Sequence, residues 1–218
     1  MIKSKYRSVW IIIVKILFIS ISVMWIYKNV SHKGEIMSAS DLTTIGLNSF
    51  YYIDYNMQVK LDSFKIICIT SIVFMTYAIT LFKIHNFYSG LNETIRIRSS
   101  NLIQYMKKTI NFYFIYIFID VAVSVITIYV TMIVMNVENI FCSQVICNLI
   151  LMAMFYMIIP FLLIFIVEKF EYFIVGLLML TVFADYFIYK LSLVNVVIAY
   201  VIVFLITYGL ILIRERNK

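Results

Sequence analysis

Six runs of apolar residues, at about 10–27, 65–83, 110–135, 145–167, 172–189 and 192–213, set the fold class before any single residue does. A helix rises about 1.5 Å per residue, so each run is long enough to cross a hydrocarbon core of about 30 Å. Lipid offers no partner to a backbone N–H or C=O, so runs of this length cross as helices. The chain is 64% hydrophobic and only 13% charged, with a mean hydropathy of +1.00. A soluble domain is nearer half apolar and about a quarter charged, so the excess has no water-excluded core to fill. The expectation is an all-α polytopic membrane protein with six transmembrane helices, folded as one domain over residues 1–218.

Basic residues set the orientation. With the N-terminus inside, the cytosolic segments hold Lys3, Lys5, Arg7, Lys83, Arg96, Arg98, Lys107, Lys108, Lys169, Arg214, Arg216 and Lys218. The outer segments hold Lys28, Lys33, Lys60, Lys65 and Lys190. That bias places both termini in the cytosol. Trp10 and Trp25 bracket the first run as interfacial anchors would, and Lys15, one turn inside it, is expected to snorkel to the nearer surface. No small-residue cleavage site follows, so the first span is expected to be retained. The outer loop of residues 28–64 balances its lysines with Glu35, Asp41, Asp54 and Asp62. Its Phe50, Tyr51, Tyr52 and Tyr55 suggest that it rests on the outer interface. Heavy use of Ile, Lys, Asn and Tyr suggests an AT-rich bacterial gene and hence a bacterial plasma membrane.

Polar residues inside the spans are the first functional candidates. Asp120 lies twelve residues beyond Lys108, roughly 18 Å further along a helix. An ionisable group at that depth costs about 2.5–3.5 kcal/mol on insertion scales, so it faces protein or water. Ser124, Thr127 and Thr131 continue its helical face. The stripe reads either as a translocation path or as an interhelical hydrogen-bonded seam. Pro160, the only proline, removes a backbone bond from the fourth span and is a candidate hinge. Asp185 is within reach of Lys190 as an interfacial pair, and Cys68, Cys142 and Cys147 read as buried thiols.

Catalytic constellations are missing from the sequence. It contains no G-x-x-x-x-G-K-[ST] phosphate cradle, no H-E-x-x-H zinc pair and no G-x-S-x-G nucleophile elbow. His32 and His85 fall on opposite sides of the membrane and cannot share a metal. The chain is therefore expected to be neither an enzyme nor a metalloprotein, and to need no cofactor. Its net charge of +7 is explained by topology and does not call for nucleic acid.

The remaining feature is the long basic segment between the second and third runs, residues 84–109. Arg96, Arg98, Lys107 and Lys108 are interleaved there with Ile95, Ile97, Leu102, Ile103 and Met106, as in an amphipathic element lying against headgroups. The stretch Ile95-Arg96-Ile97-Arg98-Ser99-Ser100-Asn101-Leu102-Ile103-Gln104-Tyr105-Met106-Lys107-Lys108, within this six-span plan, resembles the membrane subunit of ABC transporter type 2 permeases. The likeness is to small Gram-positive permeases for peptide or bacteriocin export or immunity. It implies that Glu93, Arg96, Arg98, Tyr105, Lys107 and Lys108 form a coupling segment for a cytosolic ABC ATPase. It also implies a second permease subunit, identical or related, and an amphipathic or hydrophobic peptide as cargo. The re-entrant outer helices of that family find little room between Tyr186 and Ser192. The alternatives are a six-span substrate-capture subunit for vitamin uptake and a membrane accessory protein without transport.

Overall fold

The computed structural model describes residues 2–31, 38–43, 47, 51–53, 59–86, 90, 92–99, 101–166 and 170–177, with single positions at 201, 205 and 209. Most of the expected fifth and sixth spans lie outside the described residues, with Asp185, Lys190 and the C-terminal basic residues. So do Lys33, Glu35, Phe50, Asp54, Tyr55 and Lys169.

The described elements are α1 (Ile2–Ser31), α2 (Ala39–Asp41), β1 (Tyr51–Ile53), β2 (Val59–Leu61), α3 (Ser63–Thr76), α4 (Ala78–Asn86), α5 (Asn92–Ile97), α6 (Leu102–Val134) and α7 (Ser143–Ile166). Residues 170–177 are helical as well. To a helical protein the structure adds one short antiparallel hairpin, with Tyr51 opposite Leu61 and Ile53 opposite Val59. Among the described residues, three helical stretches are long and apolar enough to cross a membrane, Val9–Asn29, Ile103–Val134 and Ser143–Phe161. A fourth crossing is made if Ser63–Thr76 and Ala78–His85 count as one span bent by 56°.

Local chemistry starts these helices where the sequence allows it. The Asp62 carboxylate accepts from the amides of Phe64 and Lys65 at 3.0 and 3.1 Å and so caps α3. The Asn101 side chain accepts from the Gln104 amide at 2.8 Å and caps α6. Each cap satisfies N–H groups that have no partner within the helix. At 33 residues, α6 is about 50 Å long, well beyond a hydrocarbon core of about 30 Å. Its first turns carry Lys107 and Lys108, beyond the length that a crossing needs. The helix starts at Leu102, eight residues before the expected third span.

The helices alternate in direction. Trp25 meets Phe64 at 4.9 Å while Lys15 reaches Thr76, so α1 and α3 run antiparallel. Lys83 sits 4.9 Å over the Tyr116 ring while Thr80 bonds Asp120, so α4 and α6 do too. The core is apolar, with Ile19, Val23, Ile69, Ile72, Tyr113, Ile117, Val121 and Ile128 buried. The opposite faces are apolar as well: Leu17, Phe18, Ile21, Phe118 and Ile126 are exposed. An outer face of that kind suits hydrocarbon.

Part of the segment expected as an outer loop is folded into the bundle, where the aromatic pattern alone suggests a surface segment. Ala39, Leu42 and Leu47 are buried. The Ala39 amide donates to the Glu138 carbonyl at 2.9 Å, and Asn148 Nδ2 donates to Thr43 Oγ1 at 3.2 Å. The loop thus docks on the α6–α7 turn and the start of α7. Cys142 and Cys147 are free and exposed, not buried as expected; Cys68 is free and buried.

Candidate functional site

Residues 63–86 contain no proline and no glycine, and the sequence predicts one uninterrupted span at about 65–83. The structure instead breaks it at Tyr77, whose φ and ψ are −104° and 15°. A sharp kink without proline or glycine can be held by an outside group inserted into the i to i−4 ladder. That group is an ion pair.

Lys15 of α1 and Asp120 of α6 meet at the break, with Nζ 2.8 Å from Oδ1 and both side chains wholly buried. Lys15 Nζ also donates to the Thr76 carbonyl at 3.0 Å and to the Asp120 carbonyl at 2.6 Å. Its three N–H groups have three acceptors. The second carboxylate oxygen of Asp120 accepts from the Thr80 amide at 2.6 Å and from Thr80 Oγ1 at 2.7 Å. In a continuous helix the Thr80 amide would donate to the Thr76 carbonyl. Here the ammonium takes the carbonyl and the carboxylate takes the amide. The negative end of α3 thus faces a cation and the positive end of α4 faces an anion, as the helix dipoles favour. The expected snorkelling of Lys15 is corrected: a partner at its own depth removes the need to reach water.

A second helix irregularity is tied to the same break. Pro160 has no N–H for the Tyr156 carbonyl four residues earlier, and α7 nevertheless continues through it. The Tyr77 hydroxyl donates to that carbonyl at 2.6 Å, and the Tyr77 and Tyr156 rings lie 6.2 Å apart. Tyr77 is fully buried. The residue at which span two breaks thereby satisfies the group that the proline leaves open. An apolar groove of about 610 Å³ opens beside the break, lined by Trp10, Val14, Phe74, Ala78, Phe82 and His85 among others.

The polar stripe on α6 is buried along its length, at Asp120, Ser124, Thr127 and Thr131. Ser124 donates to the Asp120 carbonyl, Thr127 to Val123 and Thr131 to Thr127. Thr131 also meets Ser20 of α1 at 3.0 Å between hydroxyl oxygens. These groups therefore face their own backbone and helix α1, and Asp120 faces α4 as well.

The cationic end is built differently. The segment read as one amphipathic element is two helices. The short α5 carries Glu93 and Arg96, Arg98 follows it, and the first turns of α6 carry Tyr105, Lys107 and Lys108. The break is chemical: Ser99 Oγ bonds back to the Ile95 carbonyl at 2.7 Å while Asn101 caps the next helix. Lys108 Nζ donates to the Arg98 carbonyl at 2.5 Å and ties the two pieces together. Arg96, Arg98, Lys107 and Lys108 are exposed, as are Ile97 (84%) and Ile103 (63%). Tyr105 is half-buried. Among the described residues no cluster of His, Cys, Asp or Glu is placed to hold a metal ion.

No protein-family model, curated protein or solved structure matches this chain. Its chemistry is read from its own residues. Of the expected site residues, the structure places Asp120 at a break between helices and groups the four basic residues at one end of the bundle. Lys15, Thr76, Tyr77 and Thr80 complete the interior site and were not among the candidates. Lys15 carried the one usable signal, a lone lysine in an apolar run that also holds a distant aspartate in another.

Proposed function

We propose that this chain is the membrane-spanning subunit of an ATP-driven exporter in a bacterial plasma membrane, with six spans and both termini in the cytosol. Its cargo is an amphipathic or hydrophobic peptide, expelled by export or as a means of immunity. A separate cytosolic ATPase drives it, and a second permease subunit, identical or related, completes the path.

One observation carries this reading. Arg96, Arg98, Lys107 and Lys108 form an exposed cationic patch at the end of the bundle, with Ile97 and Ile103 exposed between them. Charge fixes register and steers association, while an apolar side chain in a cleft supplies binding energy. Neighbouring α4 ends the broken span and leads into α5 through residues 87–91, so a pull on α5 reaches the Tyr77 break along α4. The apolar outer faces and the open apolar groove beside the break suit a greasy cargo better than a small polar solute.

The test is biochemical. Purified from its native membrane, the chain should carry ATP-hydrolysing activity with it. Arg96→Glu combined with Arg98→Glu should separate that activity from a still-folded chain. A chain that purifies without ATPase activity, or a double variant that keeps it in full, contradicts the proposal.

A further inference from the structure

The α3–α4 break is held from two neighbouring helices by groups of opposite charge, each matched to one of the two backbone groups that the break exposes. We propose that Lys15 and Asp120 form a polar latch that keeps span two bent by standing in for its Thr76–Thr80 backbone hydrogen bond, and that the straight span is the alternative state when α1 and α6 part.

Three observations lead there. First, the sequence of span two contains no breaker, so the bend is imposed from outside. Second, the match is directional: the cation meets the Thr76 carbonyl and the anion meets the Thr80 amide. An ion pair serving only to join α1 to α6 would not need either contact. Third, the two charges come from different helices, α1 and α6, so neither half of the latch can hold the break alone. If the pair leaves, the Thr76 carbonyl and the Thr80 amide have only each other in a medium without water. They then close the ordinary helical bond. Straightening through 56° carries the far end of α4 sideways by on the order of 10 Å, given its nine residues. That end carries Lys83 against Tyr116, His85 against Phe170, and the chain into α5. The latch therefore joins the membrane interior to the cationic end. The proposal stands apart from the exporter reading, because its test is read on the chain alone.

The experiment measures distances between spin labels at His85 on α4 and Ile115 on α6, in a chain with Cys68, Cys142 and Cys147 replaced. Two variants are compared with the otherwise unaltered sequence, and both keep the membrane interior free of net charge. The neutral pair, Lys15→Met with Asp120→Leu, should shift the distance distribution by several ångströms, as α4 swings into line with α3. The exchanged pair, Lys15→Asp with Asp120→Lys, keeps an ion pair but points it the wrong way for the ladder. It should shift the distribution in the same direction. An unchanged distribution in the neutral pair overturns the latch. A native distribution in the exchanged pair also overturns it, because charge attraction between α1 and α6 would then be sufficient.

Discussion

Charge is handled in opposite ways in the interior and at the cationic end of this structure. At the α3–α4 break, Lys15 and Asp120 are wholly buried and every hydrogen-bonding atom of the pair has a partner. At the cationic end, Arg96, Arg98, Lys107 and Lys108 stand exposed, and among their charged groups only that of Lys108 has a described internal bond. A buried charge is tolerated when its geometry is complete, and removing one partner leaves the other uncompensated. An exposed charge adds little to folding and remains available to a partner. The interior pair thus shapes the protein, while the exposed cluster presents a surface.

The sharpest way to break this contrast is to remove one interior charge. Asp120→Leu alone strands the Lys15 ammonium and should cost about 3–5 kcal/mol, read as reversible unfolding in mixed micelles. A cost near that of an exposed substitution would mean that the pair is not buried as described.

A smaller effect is expected at Tyr77. Tyr77→Phe leaves the Tyr156 carbonyl without a donor and should cost about 1–3 kcal/mol. The same change should cost less in a Pro160→Ala background, where residue 160 can supply the missing N–H. Equal costs in the two backgrounds would separate Tyr77 from the proline. Ser20→Ala removes a single interhelical contact to Thr131 and should cost about 0.6 kcal/mol, a typical value for such bonds in membranes.

The exposed end should respond least in folding. Arg96→Glu with Arg98→Glu should leave the unfolding transition of the isolated chain in place while abolishing the proposed association with an ATPase. A drop in stability comparable to that of Asp120→Leu would erase the distinction between the two regions.

Much of this architecture is legible in the sequence, for simple reasons. Membrane spans are announced by uninterrupted apolar length, so the first, third and fourth expected spans coincide broadly with α1, α6 and α7. Asp120 stands out as the one carboxylate deep in a long apolar run. The bend at Tyr77 is different. Its cause lies on two other helices, so no window of sequence around residue 77 contains it. The Tyr77 bond to the Tyr156 carbonyl is hidden for the same reason: proline marks where a bond is lost, not which residue replaces it. The split of the basic segment into α5 and α6 was closer to hand, since Ser99 and Asn101 are residues that stop and start helices by side-chain bonding.

The double-mutant cycle between Lys15 and Asp120 tests the central claim most directly. Unfolding free energies are measured for the unaltered chain, Lys15→Met, Asp120→Leu and the two together. The account predicts strong coupling, with the double variant more stable than either single one, because replacing both residues leaves no uncompensated charge. Additive single effects would contradict it, because two charges that do not sense each other cannot together hold a helix open.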